Sequence, residues 1–327
     1  MIRKKLIAGV IGSLALVAQV SGASFSDLVN GYNVVTFGDF TSENEQIHGA
    51  LSLAADGDVS IASSYGFGVD IANSRKRGEY TDNTIVASGN VELNGSGHVW
   101  GNVISKSSVV IQNTNEFTVE GKIEIVDDLS RYFNFASVKE ELNNFSNYIA
   151  EQEAIAGVVE YSTLVFRGVD GATENYFVVD ASEFENTDLT AFKFENVSEN
   201  SKVFVTVTGE NVNYNINSVR WGNDDARAYA ENILWNFADA EDVKLGGSVI
   251  GSVLALGAKV QGNGNGGQMD GTLVSGEFGG LLQFHYAPFT GDVPEQNVPE
   301  SSTVTMVLIG ACALMFTSRK KVALLRK

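Results

Sequence analysis

Three histidines, His48, His98 and His285, are the residues of this chain best suited to proton transfer or metal binding near neutral pH. Each stands alone, since no HExxH spacing joins two of them and no GxSxG turn supplies a serine nucleophile. Surface or packing roles are therefore expected. Asp56 and Asp58 in AADGDVS form the nearest approach to paired carboxylates, but a single intervening residue is common in turns. The stretch GNGNGGQMDG (262–271) has the glycine content of a calcium loop, yet it occurs once and carries Asn where repeated Asp is needed. It reads as a Gly/Asn turn. The only cysteine, Cys312, lies in an apolar run near the C-terminus, so the rest of the chain has neither a thiolate nucleophile nor a disulfide. No catalytic residue, metal ligand or cofactor is assigned.

The elements that must position these residues are mainly strands. NVVTF (33–37), ALSLA (50–54), TIVASGNVEL (84–93), KVFVTVTG (202–209) and NVNYNIN (211–217) are rich in β-branched and aromatic residues and bounded by Gly, Asn, Asp or Ser. In NVNYNIN, Val212, Tyr214 and Ile216 alternate with Asn, which predicts one core face and one flat polar face. IHGALSLA (47–54), VWGNVISK (99–106), VIGSVLAL (249–256) and MDGTLVSG (269–276) share a glycine flanked two residues away by apolar positions. Gly251 and Gly271 are 20 residues apart, a spacing that suits one coil of a right-handed parallel β-solenoid. An antiparallel sandwich is the structural alternative. A covering α-helix is expected over 137–155, with Ser137 and Glu140 as a capping box and Val138, Leu142, Phe145 and Ile149 as its apolar stripe. A shorter helix is expected in DDARAYAENILWNF (224–237).

Both ends read as address segments. Residues 1–23 have a basic start (Arg3, Lys4, Lys5), an apolar stretch to Val20 and small residues before cleavage at Ala23, the pattern of a signal peptide. At the other end, residues 303–317 are uncharged and would reach about 22 Å as a helix, against about 30 Å of membrane hydrocarbon. Arg319, Lys320 and Lys321 follow directly, a basic stop cluster placed for the cytoplasmic side. The 291–302 segment holds two Val-Pro-Glu copies and reads as a linker, leaving 24–290 as one β domain. Eight of the 22 Lys and Arg lie in the two end segments, so 14 bases face all 40 acids in the body, a net charge of −26. Nucleic acid is excluded as a partner by that charge, and loose calcium binding is permitted by it.

The tail, with Val298-Pro299-Glu300 ahead of an apolar run and a basic cluster, resembles the PEP-CTERM sorting signal. Ser301 stands where that signal usually has a second proline, and VALLRK extends past the bases. The resemblance implies a C-terminal apolar sorting helix, transient membrane anchoring and processing by an exosortase-like enzyme. The body is similar to the choice-of-anchor A domain through YNVVTFGDFT, YFVVDASEFEN, KVFVTVTGENVNYNI and NILWNFADAEDVKLGGSVIGSVLALGAKV, across roughly residues 28 to 290. That likeness implies an exported adhesive protein of the cell surface or extracellular matrix, with an exopolysaccharide or other surface ligand. Two rival classes stand beside it. A polysaccharide lyase or hydrolase on a β-helix would need acids and bases converging in one groove, and an ice or crystal-surface binder would need regularly spaced threonines.

Overall fold

The computed structural model describes residues 23–294 apart from 43–44, 50, 71–79, 114–115 and 187. Strands of three residues cannot stand alone, so each coil of the chain must stack on another to bury its apolar side. The first coil passes through Val34–Thr36, Phe40–Ser42 and Glu45–Ile47, and the second through Leu53–Ala55, Val59–Ile61 and Tyr65–Phe67. Two further coils follow, through Ile85–Ala87, Val91–Leu93 and Gly97–Val99, then Val103–Ser105, Val109–Ile111 and Phe117–Val119. All of these pair parallel and in register, as in the run Val34, Leu53, Ile85, Val103, Ile123. The result is a β-solenoid with three faces, and each strand of a coil contributes to one of them.

From Ile123–Ile125 the chain leaves the stack, runs along the first face as the helix Phe135–Ala150, and restarts at the opposite end with Ile155–Ala156. It then works back through Glu174–Asp180, Lys202–Thr208, Ile233–Asn236 and Ser252–Asp270 to Leu273–His285. That last strand bends through all three faces and closes onto the first coil by Val34↔Leu273, Phe40↔Phe278 and Ile47↔Phe284. The two halves of the sequence therefore meet at a seam in the middle of the solenoid. Antiparallel pairing, which a sandwich requires throughout, is confined among the described strands to Val158–Glu160 with Thr163–Arg167 and Ser218–Trp221 with Asp224–Asp225.

Inside the coils Val34, Leu53, Ile85, Val103, Val253 and Leu273 are fully buried, and Phe166, Phe192, Phe194 and Trp235 fill the wider second half. The corner that carries the glycine recurrence shows why glycine is needed there. Gly251 has φ +103°, and a Cβ on Gly271 would lie 2.2 Å from the Gly251 carbonyl oxygen. The backbones of successive coils touch at this corner, and no side chain fits between them.

Four expectations need correction. The N-cap of the long helix lies three residues before the Ser137 of the expected capping box, because the Asn134 side chain accepts from Ser137 N and the helix begins at Phe135. Ser137 Oγ instead donates to Glu141 Oε1 at 3.0 Å. The helix stops at Ala150 because Ile155–Ala156 is claimed by the sheet through Phe177 and Val178. The second helix does not form as a unit: Ala226–Asn232 is a 3-10 helix and Ile233–Asn236 is a strand. Trp235 is flanked by Val205 on one side and Val253 on the other, and two strand partners outweigh a helical pattern. GNGNGGQMDG is not a free turn but belongs to the strand Ser252–Asp270 as far as Asp270: Gly262 and Gln268 to Asp270 have ladder partners on both sides, and the register shifts between Asn263 and Gln268. The start of the linker is tied down, with Phe25 N donating to Gly291 O and Val293 N to Ala23 O. Phe289 packs edge-on against Phe25 beside it, which anchors the segment.

The signal segment before Ala23, Val298, Pro299, Glu300, the apolar run and Arg319, Lys320 and Lys321 lie outside the described residues. Among the described residues no helix is long and apolar enough to cross a membrane.

Candidate binding face

The three faces differ in what they can offer a partner. On the first, the outward side chains Val35, Ala54, Val86, Ile104, Leu254 and Val274 are buried under Phe133 and the helix residues Val138, Leu142, Phe145 and Ile149. Ser146 Oγ donates to Asn236 Oδ1 at 2.7 Å and Asn236 Nδ2 donates to Ser146 O at 2.9 Å, which pins the helix to the sheet. This face is occupied by the protein itself.

The second face is solvated and charged. The predicted alternation of NVNYNIN is present, with Val212, Tyr214 and Ile216 buried and Asn211, Asn213 and Asn215 exposed. The register then sets Asn211 beside Asp242, Asp242 beside Lys259, and Lys259 beside Glu277, so the signs alternate across strands. The next row runs Asn213, Lys244, Gln261, Gly279, Thr41, Ser60, Glu92, Val110. A single threonine in that row is not the regular threonine array that ice contact was expected to need.

On the third face the register builds a row of another kind. Ser248, Gln268 and Gln283 are paired neighbours, Gln283 lies beside Gln46 through the Phe284↔Ile47 pair, and Gln46, Gly66, His98 and Thr118 continue it. These seven positions carry no carboxylate, lysine or arginine and extend over about 29 Å at ~4.8 Å per strand. The parallel row beside it brings together Ile250, Asp270, His285, His48, Gly68 and Trp100. All three histidines thus lie on one face. His48 and His285 are in ring contact at 4.8 Å, edge to face. His285 Nδ1 is 2.9 Å from Asp270 Oδ1, and His48 Nδ1 is 2.9 Å from Asp70 Oδ1. Gln283 Nε2 lies 3.3 Å from His48 Nε2.

Burial opposes ionisation of Asp270, but hydrogen bonds from His285 and from Arg227 Nε, the latter at 3.0 Å, outweigh it and hold the carboxyl below the usual carboxylate range. Asp270 is therefore an anchor that fixes His285 and Arg227 at the edge of the face. His98 stacks on Trp100 with ring centroids 5.0 Å apart and planes 15° from parallel, and its Nε2 is 3.7 Å from Glu120 Oε1. Gln46, Ser64, Ser96, His98, Trp100 and Gln283 surround a groove of about 450 Å³ over Gly66.

The carboxylate pair is put to other use. Asp58 Oδ1 accepts from Asn90 N at 2.6 Å, Asp56 Oδ1 accepts from Ser88 Oγ at 2.6 Å, and Asp58 N donates to Asp39 Oδ1 at 2.8 Å. They brace the corner between the first and second faces, remote in the coil from the histidines. Among the described residues no three His, Cys, Asp or Glu are grouped to hold a metal ion.

The glutamine row and the Trp100 and His98 pair were not singled out from the sequence, although one signal for them was present. In IHG, VWG, VIG and MDG the middle residues are His48, Trp100, Ile250 and Asp270, and these are members of one row on the third face. Superposing the glycine recurrence would have brought them together.

The coils, the covered first face, the charged second face and the uncharged Ser248-to-Thr118 row of the third define a parallel β-solenoid with two solvated faces of different character. The family described as "Putative Ice-binding-like adhesive domain" matches residues 25–286, and the chain belongs to it. That description is adhesive rather than enzymatic. Among solved structures, an ice-binding protein from the Antarctic ascomycete Antarctomyces psychrotrophicus is 12% identical, with 82% of this chain and 98% of that chain covered and a TM-score of 0.38. The Shewanella frigidimarina ice-binding protein_1 DUF3494 domain is 11% identical over 84% of this chain and 99% of that one, with a TM-score of 0.38. LeIBP, an ice-binding protein from an Arctic yeast, is 11% identical over 84% and 97%, with a TM-score of 0.39. No curated protein matches the chain.

Proposed function

We propose that this chain is an exported adhesive protein of the cell surface or extracellular matrix that holds a hydrated polymer, an exopolysaccharide foremost, on its third face. The observation that carries the reading is the uncharged row from Ser248 to Thr118, on the face that is neither covered by the helix nor lined with alternating charges. Membership of an adhesive family supports it, as does the choice-of-anchor A resemblance of the body. Export rests on the basic and apolar start ending at Ala23. Sorting rests on the PEP-CTERM-like tail, through which an exosortase-like enzyme would remove Arg319 to Lys327 after a transient membrane stage.

Two measurements test this. Intact mass of the protein from its native cell is expected to start near Ser24 and to lack Arg319–Lys327, and recovery of the full-length chain would overturn the sorting proposal. Retention of the purified protein on extracellular matrix from the same cells is expected, and failure to be retained would overturn the adhesive reading. Ice is a second reading, favoured by the family description alone. Shaping or growth inhibition of ice crystals by the protein would move the assignment to it.

A further inference from the structure

The groove on the third face has a composition that selects one chemical class of polymer. We propose that it is a subsite for a neutral pyranose residue of a polysaccharide, a proposal that rests on the adhesive reading and names the ligand class of the same face. One wall is the stacked His98 and Trp100 pair. The opposite wall is Gln46, and a Cβ placed on Gly66 would be 3.5 Å from both Gln46 Cγ and Trp100 Cζ3. The missing side chain of Gly66 is what leaves a slot between the two walls. Gln283 and the hydroxyls of Ser64 and Ser96, themselves 2.7 Å apart, close the rim.

A pyranose has apolar C–H faces and a belt of hydroxyls that both donate and accept. An aromatic wall complements the first, and glutamine amides, with two donors and a carbonyl acceptor each, complement the second. The described lining contains no Lys or Arg to hold a carboxylate or sulfate. Together with a body charge of −26, this turns uronate and sulfated polymers away. Gln268, next to Gln283 in register, extends the amide row beyond the slot, so a chain lying across the strands meets a further donor and acceptor about 4.8 Å away.

The indole provides its own reporter. Of the three tryptophans, Trp221 and Trp235 are buried at 4% and 0% exposure, which leaves Trp100 as the indole a ligand can reach. Binding of the mature protein, as secreted by an exporting host, is read by titration with neutral linear glucan and mannan oligosaccharides and with oligogalacturonate for comparison. The expected result is saturable binding of a neutral oligosaccharide with a change in Trp100 emission, no binding of the uronate, and at least a tenfold loss of affinity in Trp100→Ala and in Gln46→Ala. Thr41→Ala, on the second face, should bind as the parent does. Gln46 is exposed, so its variant keeps the test decisive where Trp100→Ala fails to fold. Binding unchanged in both groove variants, or preference for the uronate, overturns the subsite. Retention on native matrix with no neutral oligosaccharide bound also overturns it while leaving the adhesive reading in place, whereas loss of matrix retention in the parent removes both.

Discussion

Asp270 ties three parts of the molecule together, since its carboxylate holds His285 from its own face and Arg227 from the 3-10 helix. Its folded-state pKa is depressed, so the stability it contributes is present above the ordinary carboxylate pKa and is lost as pH falls through the lower folded value. Asp270→Asn should cost about 1–3 kcal/mol at neutral pH, by loss of charge-assisted hydrogen bonds, and the gap to the parent should narrow below about pH 4. Thermal melts of both proteins across pH 3 to 7 check this, and a gap independent of pH would contradict it. At the glycine corner, Gly271→Ala forces a Cβ against the Gly251 carbonyl and should destabilise by about 1–3 kcal/mol, as read by urea denaturation. These corner glycines were legible in the sequence because close backbone approach leaves glycine as the only fitting residue. Gln46, Gln283 and Trp100 were not, because their meeting depends on strand register between segments far apart in sequence.

Among the elements, the helix Phe135–Ala150 was legible through its stripe, and Val138, Leu142, Phe145 and Ile149 are indeed its buried residues along with Phe135 and Ser146. Its ends were not, because the cap is an asparagine outside the stripe and the exit is set by a strand partner near residue 177. Phe145 is 1% exposed and packs against Phe25 and Phe204, so Phe145→Ala should cost about 3–5 kcal/mol. Asn143, on the exposed side, should change stability by less than about 0.5 kcal/mol when made Ala. Equal denaturation midpoints for the two variants would show that the helix does not hold down the first face. The failed expectation at 224–237 has the same origin as the failed turn at 262–271. Local pattern describes what a segment prefers alone, and a strand slot between two neighbours overrides it.

Across the whole molecule, charge is the property with the longest reach. With 14 bases against 40 acids in the body, self-repulsion should be appreciable at low ionic strength and relieved by salt. The melting midpoint is therefore expected to rise as sodium chloride is raised from about 10 to 300 mM, over which the screening length falls several-fold. Calcium and magnesium at matched ionic strength should act alike, since the carboxylates described are spent on corners and ion pairs rather than gathered at one point. A larger rise with calcium would reveal a specific site.

The seam between the first coil and the last strand also dictates an order of events. Ser42 Oγ donates to Gly280 O across 238 residues of sequence, and the strand pairs around it have comparable separations. A chain synthesised N-terminus first can stack its early coils, but one flank of Val34–Thr36, Phe40–Ser42 and Glu45–Ile47 stays open until residues 273–285 arrive. Such non-local closure slows folding and leaves an unpaired strand edge exposed for the duration. Completion is thus coupled to nearly full synthesis, and a chain interrupted before Leu273 would present a sticky edge to its neighbours instead of a finished surface. Refolding of the purified protein should accordingly be limited by a single slow step that reports on the seam, in which Phe40 and Phe278 stack at 5.1 Å, rather than on the early coils.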